Sequence, residues 1–324
     1  MKVRRSFVLA LAVTVMLFAA GNVFAQSYPT KPIRIIVPFP AGGATDIFTR
    51  LISQKLTENL GQQVLVDNRA GASGIIGTEI LVKSAPDGYT LMITATHHAI
   101  NPSLYKKLPY DTAQDLVALT LVATSPNILL AHPSFPANTV QELIAMAKAK
   151  PGQLNFASTG IGGSNHLSGE MFKSMAGIDM VHIPYKGAAP AMNDLLGGQV
   201  SLMFDTPAAG LPHIRAGKLK ALAVTSAKRT AIAPDIPTIA ESGVPGYEAL
   251  SWFAMYGPAK MPKEIVTRIN TEVVKVLHLP EIQKRFADLG AEPVGNSPEE
   301  FAAYLKSEMA KWAKVVKDCG ARLD

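Results

Sequence analysis

Twice in this chain an apolar run passes into a glycine-rich loop that opens a helix. Residues 33–39 lead into Pro40-Ala41-Gly42-Gly43-Ala44-Thr45-Asp46, and residues 154–158 into Thr159-Gly160-Ile161-Gly162-Gly163-Ser164-Asn165-His166. Each unit leaves bare backbone N–H groups at a helix N-terminus, where unsatisfied donors and the helix dipole favour an anion. Two such units facing each other from two lobes would grip one small acid from both sides. The expected architecture is therefore a clamshell receptor for a carboxylate.

The rest of the chain supports an α/β fold, because short apolar strands alternate with amphipathic helices. Residues 33–39 read as a strand buried on both faces. Ile47, Leu51, Ile52, Leu56 and Leu60 recur at helical spacing up to Gly61, a natural stop. Residues 64–66 and 89–94 read as strands, with a helix over 75–85 between them. The stretch 119–130 is long enough to leave one lobe and enter another. Beyond it, helices are expected at 139–150 (capped by Thr139), 164–176, 188–196 and 207–216, with strands at 154–158, 180–184, 200–204 and 219–225. A strand at 252–257 returns, and the remainder is helical, with one helix opened by Pro262 in its first turn. The expected organisation is a first lobe from 26–124 and 250–324, a second from 125–249, and two strand crossings at the hinge.

Residues 1–25 are set aside as a leader. Lys2, Arg4 and Arg5 precede an apolar run over 7–20, and Val23-Phe24-Ala25 is an A-x-A-like cleavage site. The apolar run is too short for a membrane span. The one cysteine, Cys319, allows neither an internal disulfide nor a lipid anchor after the leader. Without the leader the 31 basic residues fall to 28 against 25 acidic ones, so the net charge of +6 falls to +3. No basic block and few aromatics remain, which argues against nucleic acid. An exported, periplasmic monomer is expected.

The two loops carry the functional reading. Gly42 and Gly43 permit close approach of a ligand to the backbone, and Thr45 or Asp46 is placed to cap the helix. One such turn is common punctuation in α/β proteins; the second copy, with the hydroxyls of Ser158, Thr159 and Ser164, tips the balance toward binding. Neither loop holds Lys or Arg, so binding would rest on N–H groups, hydroxyls and water. Arg50 is expected to pair with Asp46 along the helix. Asp205, at a strand end, either meets the ligand's far end or caps the helix beginning at Pro207. Lys186 reads as a solvated lysine and Trp252 as core. His97-His98 is no metal pair, since neighbours point apart and no third ligand is near. The hydrolase elbow fails because His166 takes its last glycine's place, the dinucleotide fingerprint fails at Asn165, and no G-K-[ST] follows Gly43. No cofactor or metal is expected. A Ser164/His166 hydrolase and a sensory receptor stand as alternatives.

The residues also resemble a known family. Tyr28-Pro29-Thr30-Lys31-Pro32-Ile33-Arg34 running into Val37–Asp46, then Val66-Asp67-Asn68-Arg69-Ala70-Gly71-Ala72-Ser73-Gly74, His98-Ala99-Ile100-Asn101-Pro102-Ser103-Leu104-Tyr105, Pro109-Tyr110-Asp111, the stretch 158–170, Pro184-Tyr185-Lys186-Gly187 and 252–258 resemble the Bug family, the TctC-type substrate-binding proteins of tripartite tricarboxylate transporters. Asp67 and Ala70 depart from the Glu and Pro common there. The resemblance implies a periplasmic two-lobe Venus flytrap of type II that binds a small carboxylate or related amide and delivers it to membrane transporter subunits. It implies ligand contacts from Phe39, Ala41, Gly42, Gly43 and Thr45, with Ala72, Ser73, Thr94 and Thr96 on the same wall. The second lobe would supply Ser158, Thr159, Gly160, Ser164 and His166, and Asp205 would tune the ligand's far end.

Overall fold

A computed structural model describes residues 28–323. The expected leader, 1–25, lies outside them. The chain builds two mixed sheets flanked by helices, in the order strand–helix–strand that the alternating pattern predicts.

The first sheet begins with β1 (Ile33–Val37), helix α1 (Ala44–Leu60) and β2 (Val64–Asn68). A 3-10 turn (Ala72–Gly74), α2 (Ile75–Val82), β3 (Thr90–Ala95) and α3 (His97–Leu104) follow. Strand β4 (Leu116–Pro126) then runs through Asn127 straight into β5 (Ile128–Ala131), which belongs to the second sheet. The long apolar stretch is thus two abutting strands, one in each lobe.

The second sheet alternates α4 (Val140–Ala149), β6 (Asn155–Ser158), α5 (Ser164–Ala176), β7 (Val181–Pro184), α6 (Ala188–Leu196), β8 (Leu202–Asp205), α7 (Pro207–Arg215) and β9 (Lys220–Val224). Thr139 caps α4 by accepting the Glu142 N–H, as expected. The chain returns through a loop to β10 (Leu250–Pro258) in the first sheet, then adds α8 (Lys263–Leu277), α9 (Pro280–Asp288), β11 (Glu292–Pro293) and α10 (Pro298–Cys319). Pro262 is the N-cap of α8, one place earlier than expected.

Strand order is β11-β4-β10-β3-β1-β2 in one sheet and β7-β6-β8-β5-β9 in the other. The strands that feed helices pair in parallel (β1 with β2 and β3, β6 with β7 and β8), while β10 and β5 run antiparallel to their neighbours. Parallel strands must be covered on both faces. Accordingly Ile35 faces a core shared with Phe48, Ile52, Val273 and Phe286, while its neighbour Ile36 faces the opposite core. That opposite core is continuous between the lobes, because α10 packs against both α3 and α5. The two crossings lie side by side: Asn127 N–H donates to Thr225 Oγ1 at 2.7 Å, Thr225 N–H to Asn127 O at 2.9 Å, and Ala249 N–H to Thr225 O at 2.9 Å.

Trp252, on β10, is fully buried against Phe301 and Tyr304. Its indole N–H donates to Glu308 Oε2 at 2.9 Å, and that oxygen also accepts the Trp312 indole at 2.8 Å. Lys311 pairs with the other oxygen. One buried carboxylate therefore ties the hinge strand to the terminal helix, and Trp252 is core rather than cleft floor.

Candidate functional site

The two glycine-rich turns fold alike. Gly42 sits at φ 84° and Gly162 at φ 79°, a left-handed conformation that glycine adopts without strain. The N-caps that follow, Gly43 (φ −79°, ψ 168°) and Gly163 (φ −78°, ψ 166°), are near-identical. Each N-cap carbonyl accepts the first helical bond, from Ile47 and Leu167 respectively, at 3.0 Å. The N-caps are glycines with no capping side chain, so neither Thr45 nor Asp46 caps α1 as expected. The preceding first-turn N–H groups are left for a ligand or water.

What holds each turn in shape is an acceptor four residues past its left-handed glycine. In the first turn Gly42 N–H donates to Asp46 Oδ2 at 2.9 Å. Arg50 Nε donates to the same oxygen at 3.0 Å, the expected helix ion pair, and Asn68 Nδ2 donates to Oδ1 at 3.0 Å and to Phe39 O at 3.2 Å. Burial works against ionisation of Asp46, but Arg50, Gly42 N–H and Asn68 outweigh it and hold its carboxyl below the usual range. In the second turn Gly162 N–H donates to His166 Nδ1 at 3.1 Å. Burial first, then His182 and Lys173, push the His166 pKa down to about 3, so the ring is neutral and its proton lies on Nε2. The His166 ring stacks on His182 with centroids 3.9 Å apart, and His182 Nε2 lies 2.6 Å from Ser158 Oγ. Ser158 Oγ also accepts the Gly160 N–H at 3.2 Å.

Between the turns lies a cavity of about 160 Å³ lined by Phe39, Thr45, Ala95, Thr96, His97, Ser164, Ser251 and Phe253. The second residue of α1 and the first residue of α5 both line it. Ser164 Oγ lies 2.7 Å from Ser251 Oγ, a contact between the second lobe and the hinge strand. Thr96 Oγ1 accepts the Trp252 N–H at 2.8 Å. The lining contains no Lys, Arg, Asp or Glu.

Of the expected residues, Phe39, Thr45, Thr96 and Ser164 meet in this cavity. Ala41, Gly42 and Gly43 are exposed and Thr159 and Gly160 half-buried in the two turns, and none of the five lines it. Ala72 (φ 46°) and Ser73 (φ 53°) hold left-handed backbone that costs non-glycine residues ~1–2 kcal/mol each. Asn101 of α3 and Tyr105, its C-cap, tie Ser73 down, at 3.0 Å to its carbonyl and 3.3 Å to its hydroxyl. Thr94 is buried in the sheet, paired with Ala254.

Three further expected residues also stand outside this lining. His166 supports the second turn from behind, because its Nδ1 is occupied by Gly162. Ser158 is wholly buried and shapes the same loop. Asp205 is 3% exposed; its Oδ1 accepts the Thr206 N–H at 2.7 Å and faces Asn165 Nδ2 at 3.5 Å, while Oδ2 has no partner. It thus neither lines the cavity nor caps α7, whose N-cap is Thr206. Burial pushes its pKa up to about 6. The Ser164/His166 pair is not formed, since Ser164 engages Ser251 and His166 engages Gly162. Among the described residues no cluster of three His, Cys, Asp or Glu could hold a metal.

Sequence reasoning missed Ser251, Phe253 and His97. His97 belongs to the first lobe, its ring 5.3 Å from that of Phe39, and its Nε2 lies 3.8 Å from where a Cβ on Gly163 would stand. Its Nδ1 is enclosed without a partner, and burial pushes its pKa down to about 4. Its neighbour His98 turns inward between Tyr110 and Tyr256. The rule that adjacent residues point apart, which removed the pair as a metal site, was itself the signal that one of them faces the cleft.

Residues 48–321 match the model of the tripartite tricarboxylate transporter family receptor, TctC. Protein BugT of Bordetella pertussis is 40% identical over 306 residues, covering 94% of each chain. Among solved structures, R. palustris Rpa4515 with adipate is 40% identical with a TM-score of 0.79, covering 90% of this chain and 98% of that one. MatC (Rpa3494) from Rhodopseudomonas palustris with bound malate is 31% identical with a TM-score of 0.75, covering 89% of this chain and all of the other.

Proposed function

We propose that this chain, which belongs to the tripartite tricarboxylate transporter receptor family, is a periplasmic receptor that captures a small organic carboxylate between its lobes and delivers it to membrane transporter subunits. The observation that carries this reading is the pair of matching N-cap turns, at Gly43 and Gly163, with Thr45 and Ser164 beside them on one cavity. Each helix N-terminus contributes roughly half a positive charge and unsatisfied N–H donors. Together they suit a carboxylate without any Lys or Arg. Bound adipate and malate in two relatives point to the same ligand class.

In this reading residues 1–25 direct export. Residues 26–124 with 250–324 form the first lobe, and 125–249 the second. The ligand's oxygens take N–H groups from 41, 43–45, 159, 161 and 163–164, those of Gly42, Gly160 and Gly162 being held by Asp46, Ser158 and His166, with Thr96, Ser164 and Ser251 adding hydroxyls. His166, Ser158 and Asp46 keep the two turns in shape. Closure follows if the acid binds the closed arrangement more tightly than the open one.

The test is a thermal-shift screen of unfolded and refolded, ligand-free protein against small mono-, di- and tricarboxylates and their amides. Ligand at a hundredfold excess over Kd adds about 2.7 kcal/mol, a midpoint rise of a few degrees. A selective rise with a few carboxylates is the expected outcome. A folded protein that responds to no acid would overturn the reading.

A further inference from the structure

The cavity poses a charge-matching problem that depends on the carboxylate reading just given. Two helix N-termini of about half a charge each offset one negative charge, not two. No Lys or Arg lines the cavity to offset a second. The one titratable side chain in the lining is His97, with Nε2 toward the N-cap of α5 and Nδ1 unpartnered. We infer that His97 sets the response to ligand charge: a monocarboxylate binds to neutral His97, whereas a dicarboxylate binds with uptake of one proton from solvent onto the His97 imidazole, which is returned on release.

The surroundings leave His97 as the group able to respond. Asp46 of α1 is neutralised by Arg50, and Glu170 of α5 faces Lys173. His166 accepts the Gly162 N–H, so its acceptor nitrogen is occupied, and its ring is stacked on His182. His98, next along α3, faces Tyr110 and Tyr256. Glu308 of α10 holds Lys311 and two indoles, and Asp205 lies behind Asn165. Without ligand, burial keeps His97 neutral, with a pKa of about 4. An anion within about 4–6 Å moves such a group by about 1–3 pH units toward its charged form. A second carboxylate beside Nε2 therefore brings the imidazole into titration between roughly pH 5 and 7, and the field of the imidazolium supplies the missing positive charge.

The experiment is isothermal titration of the ligand-free protein with matched pairs of acids, adipate against hexanoate and succinate against butyrate. It is run at pH 5, 6 and 7 in buffers of different ionisation enthalpy, with the free acids' own ionisation subtracted. Dicarboxylates are expected to take up a substantial fraction of a proton near pH 6 and to bind roughly tenfold more tightly at pH 5 than at pH 7; monocarboxylates should show neither effect. His97→Asn, which keeps a polar planar group that does not titrate, should abolish the uptake. Independently of any variant, the His97 ring resonances in the wild-type protein should move to imidazolium positions on adding a dicarboxylate. Dicarboxylate binding without proton uptake, uptake that persists in His97→Asn, or binding of monocarboxylates alone at both pH 5 and pH 7 would overturn this inference and leave the receptor reading standing. Binding of no acid at all would overturn both.

Discussion

Gly163→Ala is the most discriminating perturbation of the cleft. A Cβ built there meets His97 Nε2 at 3.8 Å, Thr159 Oγ1 at 3.9 Å and Asn165 Oδ1 at 4.0 Å, all ordinary contact distances. The backbone at φ −78° suits any residue. Alanine is a poorer N-cap than glycine, but it also restricts the unfolded chain by about 0.4–1 kcal/mol, so folding stability should change little. Binding should change a great deal. The methyl would occupy the point where polar atoms of both lobes converge on the first turn of α5, and a carboxylate oxygen cannot share it. Losing one charge-assisted hydrogen bond, about 1.5–3 kcal/mol, and the dipole contribution, about 0.3–1 kcal/mol, weakens binding by about 2–4 kcal/mol. That is roughly 30- to 700-fold in Kd, read by isothermal titration with the best acid from the screen. At Gly162 the same methyl would fall 2.4 Å from Leu104 Cδ1 in left-handed backbone, and at Gly160 the φ of 147° would itself be strained, so neither substitution separates binding from folding as cleanly. Gly43→Ala adds a methyl whose one near neighbour is Pro40 O at 3.7 Å, and its loss should be much the smaller. A folded Gly163→Ala protein that binds within threefold of wild type would refute the argument.

The buried titratable groups and the hinge give three further predictions. Asp205 has its pKa raised by burial from 3.8 to about 6, so the native state keeps a proton that the unfolded chain releases between those values, and stability falls as pH rises through that window; Asp205→Asn should gain about 2–3 kcal/mol in urea unfolding at pH 7.5 and almost nothing at pH 4, and an equal effect at both would be inconsistent with a buried charge. His182, lowered by burial and Lys173 from 6.5 to about 4, acts in the opposite sense: the unfolded chain binds its proton first, so stability is complete above pH 6.5 and is lost as pH falls toward 4. His182→Gln should flatten that acid limb by up to about 1.4 kcal/mol per pH unit, and an unchanged limb would count against it. Glu308→Ala leaves two buried indole N–H groups without an acceptor and should cost about 2–5 kcal/mol in unfolding; a loss under about 1 kcal/mol would show that the contact between β10 and α10 is tolerant.

The parts of this molecule that were legible in the sequence are those where one local rule decides the outcome. The strand of Ile33 to Val37 is apolar at every position but Arg34, and Gly61 ends its helix in left-handed conformation. The short α3 was illegible as a helix because Pro102 lies inside it and its eight residues carry no clear period. The cleft was half legible. Backbone donors at a helix N-terminus announce themselves through glycine and spacing, so Gly42, Gly43, Thr45 and Ser164 were accessible. Which side chains face the ligand, and which brace the loop, depends on packing between lobes that no local pattern encodes. His166 illustrates the point. It stands four residues past Gly162 as Asp46 stands four past Gly42, and both accept that glycine's N–H. Read as a repeat, the spacing assigns both residues to bracing; read residue by residue, a histidine near a glycine loop looks like a ligand contact. The two braces also differ in charge for a reason visible in their neighbours. Asp46 has Arg50 and Asn68 to stabilise an anion, whereas in the second turn burial, then the stacked His182 and the nearby Lys173, favour a neutral ring. One backbone solution is thus supported by two unrelated chemistries. The turn geometry is the common requirement, and the side chain that secures it is chosen by the lobe in which it is embedded.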